Sequence, residues 1–539
     1  MRKIVECVPN FSEGRNPEII DAIADAIRNT AGVTLLDVDP GKSTNRTVYT
    51  FVGDPISIVE GALNSAKVAY KLIDMRTQKG EHPRMGAMDV CPFVPVANVT
   101  MEECVECSKE FARRASKELN IPFYLYEEAQ AKEYRKRLPD IRQGEYEGLA
   151  KRIVMPEWKP DFGPAEFVPT WGATVTGARF FLIAYNINIL GTSNQAHRIA
   201  LDLREAGRGD NEPGKLKETK GLGWFVDEYN MAQVSMNLNN YKVTAIHTAF
   251  EEVKKSAKEL NVAVAGSELV GLVPLDAMLM TADYYIKEES LMIVDEMQKI
   301  TLVVERLGLN SISKFDPNKR IIEYMIKENN EPLASLSVRG FIEEIANRSS
   351  APGGGSASAA IAAIGAGLGC MVGQLTYGIR KFENVDKEMR SLIPPLYDAV
   401  QKLIPMIDAD TNAFNYYMEA IRMPKNTDEE KKVRTNAMQE GLKKAIQIPL
   451  ATMHYGDEVW DAMINVAKYG NIASKSDIEV GASALAVGIW GAYKNVLINL
   501  KDIKDTDFIN KTTDIATKIK DRSKEKSAEI LKILVEREK

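Results

Sequence analysis

The chain has 539 residues, of which 45% are hydrophobic and 27% charged, and a formal net charge of −6. That length exceeds what one hydrophobic core serves and predicts about three or four domains of ordinary soluble composition. The acidic balance argues against a nucleic-acid surface as the main business. Five cysteines are too few for a disulfide framework and fit a reducing, cytoplasmic compartment. The opening MRKIVECVPNF lacks the apolar core of a signal peptide.

In chain order, residues 3–8 read as a strand. Residues 16–29 follow as an amphipathic helix with Ile19, Ile20, Ile23, Ala24 and Ile27 on one face. Strand patterns at 33–39 and 46–52 flank a Pro-Gly turn, 56–73 is helical, and 91–96 returns as a strand. This β-α-β-β-α-β order is that of a split βαβ, or ferredoxin-like, unit. A helix at 102–119 and a strand at 121–126 extend it. Cys104 and Cys107 fall on one turn of that helix without a partner pair, so they read as packing neighbours and not as a metal site.

The loops at the strand ends are polar. VPNFSEGR (8–15) offers Asn10 and Ser12 as hydrogen-bonding groups for a substrate, and DVDPGKSTNR (37–46) offers Asp39 and Arg46. KGEHPRMGAMD (79–89) carries His82, one of four histidines, with Arg84 close by. An imidazole near its ordinary pKa both gives and takes protons at neutral pH. Asp39 could orient that ring, while Arg46 and Arg84 could grip carboxylates in forked geometry. Each alone reads more readily as a turn former or a solvated charge; their joint position at strand ends makes the set a candidate site.

Residues 161–177, DFGPAEFVPTWGATVTG, are rich in Pro and Gly yet hold Phe162, Phe167 and Trp171. Such rings either stack on a flat heterocycle or seal the edge of a core. The first element order then recurs: strand 180–187, helix 194–206, strands 223–226 and 233–238, helix 244–260, strand 262–265. Two such α/β layers facing each other would leave a groove where polar loops converge.

Near 327–333 (KENNEPL) the strand-like alternation stops and a short linker is expected. Helices are expected at 338–346, 356–377, 389–422, 429–450, 459–466, 478–500 and 515–537, which together predict a helix bundle. From Ser349 to Ile379 no residue is charged, but Ala, Gly and Ser dominate, and Gly365, Gly369 and Gly373 recur every fourth residue. A buried, tightly packed helix fits that pattern better than a membrane span. PGGGS (352–356) lacks the Lys of a nucleotide-binding P-loop. In IDADTNAF (407–414), Asp408 and Asp410 are two residues apart and point to different sides of one helix. Desolvation in a cleft would raise the pKa of either toward useful acid–base range.

With these segments in view, the whole chain resembles the bifunctional formiminotransferase–cyclodeaminase family of folate enzymes in histidine breakdown. VECVPNFSEG, STNRTVYTFVG, KGEHPRMGAMDVCPF, DFGP, WGATVTGAR and AHRIALDLREAGRG look like the transferase half; APGGGSASAA, DADTNAF, MPKNTDEEK and NVLINLKDI look like the cyclodeaminase half. The resemblance implies three domains and a linker: transferase subdomains at 1–180 and 181–326, a linker at 327–333, and an all-α domain at 334–539. It implies His82 as the acid–base histidine of transfer and Asp410, with Asp408 the alternative, as the acid–base carboxylate of cyclodeamination. The implied folate-binding loop is Gly163, Pro164, Ala165, Glu166, Phe167, Val168, Pro169, Thr170, Trp171 and Gly172. Polyglutamylated tetrahydrofolate as co-substrate, N-formimino-L-glutamate as donor and a homo-octamer are implied too, with no metal, nucleic acid or membrane span. Formyl-glutamate as donor, and cyclohydrolase activity in the helical half, are the neighbouring chemistries that assays would separate.

Overall fold

The computed structural model describes residues 3–80, 83–209, 211–326 and 331–538. The chain divides into two compact units, Met1–Lys327 and Glu328–Lys539. Of the expected linker, residues 327–330 lie outside the described residues.

In the first unit, β1 (Ile4–Cys7) and β2 (Asn10–Phe11) run end to end in one slot between β4 (Arg46–Gly53) and β5 (Met88–Ala97). β3 (Val33–Gly41) pairs with the outer side of β4, while β7 (Thr174–Ala178) and β6 (Phe123–Glu127) extend the sheet beyond β5. Pairing is antiparallel except for β5–β7 and β7–β6. Side chains alternate across a strand, so Val5, Cys7, Tyr49, Phe51, Cys91 and Phe93 join one core beneath α1 (Pro17–Arg28), α2 (Ser57–Leu72) and α3 (Met101–Leu119). Local signals start these helices: Asn16 caps α1 ahead of Pro17, and Thr100 and Glu103 form a reciprocal capping box on α3.

Residues 128–160 carry no periodicity that predicts an element. There α4 (Leu138–Ile141) and α5 (Glu145–Arg152) lay Ile141, Leu149 and Ile153 over Tyr124, Tyr126, Val90 and Val175, covering part of the sheet face opposite α1–α3. β7 was hidden in the Pro/Gly-rich stretch 161–177. Five buried residues, TVTGA, pair there in the sheet interior.

A second sheet has the order β11 (Ala263–Val270), β8 (Ile183–Leu190), β10 (Met231–Leu238), β9 (Thr219–Val226), antiparallel throughout. α6 (Ser193–Leu203) and α7 (Ile246–Glu259) follow its first and third strands. In both sheets the first and third strands of the six-element run lie side by side, with the second beside the third and the fourth beside the first. The expected strand at 180–187 shifts to Ile183–Leu190, because Phe180 is exposed and the inward residues are Ile183, Tyr185, Ile187 and Ile189. The expected 223–226 strand is twice as long. α8 (Leu275–Glu288), α9 (Glu296–Leu307), α10 (Pro317–Arg320) and α11 (Ile322–Met325) complete the unit. Ile4, Val52 and Val94 of the first sheet belong to the core of the second, so the two layers share apolar contact.

The second unit is helical throughout its described residues: α12 (Val338–Ile345), α13 (Gly354–Thr376), α14 (Asp386–Arg422), α15 (Asp428–Asp457), α16 (Trp460–Tyr469), α17 (Lys475–Leu500) and α18 (Thr506–Arg537). α14 continues through Pro394, Pro395 and Pro405, and α15 through Pro449. By length and hydropathy alone α13 could cross a membrane, yet it packs closely on α14 and α17. Glycines make the α13–α17 seam. A Cβ on Gly365 would fall 2.8 Å from Gly481 O, and one on Gly488 2.6 Å from Ala362 N.

Candidate active sites

In the first unit the polar loops 8–16 and 41–47 meet residues 75–80. Asn45, held at φ +49°, accepts from Gly14 N at 3.0 Å and donates to Gln78 Oε1 at 2.5 Å and Lys79 O at 3.1 Å. Gln78 Nε2 donates to Glu13 Oε2 at 3.1 Å, and Glu13 Oε1 accepts from Arg15 N and Asn16 N at 2.8 and 2.9 Å. Asn45, Glu13 and Gln78 were not singled out from the sequence. Their signal was turn chemistry in STNR and SEGR, which a reading focused on chemistry-bearing residues passes over.

His82 lies outside the described residues. Its neighbours are fixed: Met85 N donates to Asp89 Oδ1 at 2.7 Å, and Asp89, fully buried, also pairs with Arg142. Arg84 lies mostly buried and donates to Gln78 O at 2.9 Å and Glu147 Oε1 at 3.0 Å, with Glu145 Oε2 at 3.5 Å. α5 thus supplies carboxylates to an arginine expected to grip those of a substrate. Ser12 Oγ donates to Gly86 O at 2.8 Å and Asn10 Nδ2 to Val8 O at 3.0 Å, so both serve the loop's own backbone. Asp39 is exposed on β3, in one row across the sheet with Val48, Asn10 and Val90. Burial and the Arg142 charge lower the pKa of Arg46, while Asp89 and Asp39 pull it back up.

The segment Gly163–Gly172 joins the same loop cluster. Gly172, at φ +80°, bridges to Gly86, and a Cβ there would collide with Met85 O; at Gly163, φ +84°, a Cβ would collide with Ile121 O. Trp171 is 1% exposed, donates to Thr174 Oγ1 at 3.0 Å and lies in the helix-side core. For that ring the structure selects the core-sealing role over the stacking one. Phe167 is half-buried against Tyr146, with ring centroids 5.3 Å apart, and Tyr146 Oη donates to Pro169 O at 2.5 Å. Gly163, Glu166 and Pro169 are exposed.

In the second unit Asp408 and Asp410 part company. Asp408 accepts from Leu333 N at 2.8 Å and Ala334 N at 3.0 Å, tying down the segment ahead of α12. Asp410 turns to the start of α13, where Gly355 leaves it room and Ser356 Oγ lies 3.5 Å from Oδ2. Burial raises the Asp410 pKa, and hydrogen bonds from the Ser356 backbone and hydroxyl hold it down in part. Ser356 itself donates to Ile407 O at 2.7 Å and lies 3.1 Å from Thr411 Oγ1. A desolvated carboxyl against helix N–H groups is equipped to hold a proton or release it. The sequence had marked Ser356 only as part of PGGGS and Thr411 not at all.

Comparison with known proteins addresses both units. Residues 4–179 match the formiminotransferase domain, N-terminal subdomain; residues 184–327 match the formiminotransferase domain; residues 337–518 match formiminotransferase-cyclodeaminase. The chain is 62% identical to formimidoyltransferase-cyclodeaminase of Dictyostelium discoideum over 540 residues, covering 100% of both chains. The chain belongs to the formimidoyltransferase-cyclodeaminase family. Identity to the Gallus gallus member is 54%, again over 100% of both chains. Glutamate formimidoyltransferase of Streptococcus pyogenes is 44% identical over 291 residues, 54% of this chain and 95% of that one. A formimidoyltransferase-cyclodeaminase therefore carries its transferase half as a unit that occurs alone elsewhere, and that half holds the loop cluster around residues 79–89.

Proposed function

We propose that the first unit transfers the formimino group of N-formimino-L-glutamate to N5 of tetrahydrofolate, and that the second closes 5-formiminotetrahydrofolate to 5,10-methenyltetrahydrofolate with loss of ammonia. The observation that carries this is full-length correspondence to formimidoyltransferase-cyclodeaminases at 62% identity. In transfer, N5 attacks the formimino carbon and must lose a proton, while the departing glutamate nitrogen must gain one. His82 is assigned both tasks, which for a positioned side chain amount to about 10²–10⁴-fold. Arg46 and Asp39 serve as binding or orienting groups, Asn10, Ser12 and Arg84 hold the loops in place through their bonds within the chain, and Gly163–Gly172 is the folate-binding segment. In cyclisation N10 attacks the same carbon, and Asp410 hands its proton to the leaving nitrogen.

Supporting the division of roles, Asp408 already accepts two backbone N–H groups, whereas Asp410 is the carboxyl whose pKa is raised. We read the two sheet-bearing parts, 1–180 and 181–326, as split βαβ (ferredoxin-like) subdomains, which their shared strand order supports. The linker is 327–333 and the helical domain 334–539. Self-association into a ring, taken here as an octamer, finds support in uncharged exposed residues on α13 and α17, among them Ile364, Met371, Leu375, Val487 and Trp490. Polyglutamylated folate as the natural co-substrate and a cytoplasmic site belong to the same reading; five buried cysteines, none in a disulfide, fit a reducing compartment. The test is a coupled spectrophotometric assay for methenyltetrahydrofolate from formimino-glutamate and tetrahydrofolate. No product with either that donor or formyl-glutamate would sink it.

A further inference from the structure

One buried acid in the first unit has no part in the chemistry above. Glu6, on β1, is 4% exposed. Its chain neighbours Val5 and Cys7 point into the helix-side core, so Glu6 points to the opposite face, the one that carries Asn10 and Asp39. It stands in register with Val52 of β4 and Val94 of β5, both apolar. Along the β1–β2 slot it lies four residues, about 13 Å, from Asn10. Among the described residues none donates a hydrogen bond to its carboxylate, and the charge that acts on it is Arg179, just past β7. Desolvation pushes its pKa up to about 7, with Arg179 opposing.

The Glu6 side chain is enclosed by valines, yet its oxygens keep an opening to solvent, so a donor arriving from outside the chain can reach them and replace water there. Resting on the transferase reading, a donor is at hand in the co-substrate. The 2-amino group and N3–H of a reduced pterin form a planar fork of two donors, which matches the two acceptor oxygens of a carboxylate as a guanidinium does. Glu6 and the row of Asn10 and Asp39 share one face of the sheet, four residues apart along the same slot.

We propose that Glu6 is the pterin anchor of the transferase site. It accepts hydrogen bonds from the 2-amino and N3–H groups of tetrahydrofolate and so fixes the orientation of the ring along the face that carries Asn10 and Asp39. Arg179 keeps the carboxylate charged once the ring is seated. This makes Glu6 a positioning and specificity residue and gives it no proton to move in the reaction.

The test compares tetrahydrofolate with its 2-desamino analogue on the full chain. Glu6→Gln should raise the KM for tetrahydrofolate about 10–100-fold, the range for losing a charged hydrogen-bond acceptor, with kcat little changed. Glu6→Asp should recover part of that loss. The wild type should bind the desamino analogue more weakly than tetrahydrofolate, and Glu6→Gln should weaken it much less than it weakens tetrahydrofolate. Ammonia release from supplied 5-formiminotetrahydrofolate, a reaction of the other unit, reports that each variant chain is folded. An unchanged KM, a fall in kcat at constant KM, or equal losses for both folates would each overturn the anchor. If the wild type binds tetrahydrofolate but transfers nothing, the functional reading fails by itself, and calorimetric binding of the two folates reads out the same discrimination.

Discussion

The carboxylate of Asp410 lies against the α carbon of Gly355, in the space that a Cβ at that position would occupy. The glycine is therefore part of how the acid is aimed. Gly355→Ala should displace the carboxyl by an ångström-scale shift and lower cyclodeaminase kcat by about 10²-fold, with transfer unchanged. Ammonia release measured beside glutamate release checks both halves. Wild-type ammonia release in this variant would mean that the carboxyl need not sit where it does.

The two activities should separate by point substitution. His82→Ala is expected to abolish transfer while leaving ammonia release from supplied 5-formiminotetrahydrofolate nearly intact, and Asp410→Ala to do the reverse. Assays of each partial reaction decide. Normal transfer in the first variant, or normal ammonia release in the second, removes that residue from its role.

Asp410 also has a cost. Its carboxyl is raised in the folded chain by burial, so its contribution to stability is fully present below the unfolded pKa of about 3.9 and is lost as pH rises through the folded value. Asp410→Asn should thus melt higher than wild type at pH 8, and the two melting curves should converge as pH falls toward that of the unfolded carboxyl. A variant less stable at pH 8 would contradict the burial argument.

Asp408 should behave in the opposite manner. Asp408→Ala strips acceptors from Leu333 N and Ala334 N and should cost about 1–3 kcal/mol of stability in the helical unit. Its effect on cyclodeaminase kcat should be small beside that of Asp410→Ala. Denaturant titration with a parallel rate assay separates the two effects.

Gly172→Ala places a side chain at φ +80° and into Met85 O, breaking the bridge between Gly172 and Gly86. Transfer should drop by at least about tenfold through misplacement of the loop, with ammonia release spared. Equal transfer rates would show that the segment 163–172 and the loop 79–89 need not be joined.

Much of the architecture was legible because periodicity is local: the six-element run, its recurrence and the helical second half all follow from spacing of apolar residues. What stayed hidden depends on distant partners. β7 is five residues long and looks like a turn-rich linker until β5 and β6 flank it. Arg84 reads as a free cation, yet Glu145 and Glu147, some sixty residues on, already engage it. The sequence leaves Trp171 open to stacking on a ligand or sealing a core, and only its 1% exposure and the ring of Tyr70, 5.9 Å away, decide for the core. Asp408 and Asp410 were separable in direction from helix geometry, but not in duty, since the linker amides that occupy Asp408 have no pattern of their own.

The α13–α17 seam brings one last consequence. Where Gly365 meets Gly481 and Gly488 meets Ala362, backbone rests on backbone, and no rotamer can swing aside to let one helix slip past the other. The start of α13, and with it the platform beneath Asp410, is bolted to a rod that cannot shift register. Thermal loosening of this seam should come late in unfolding.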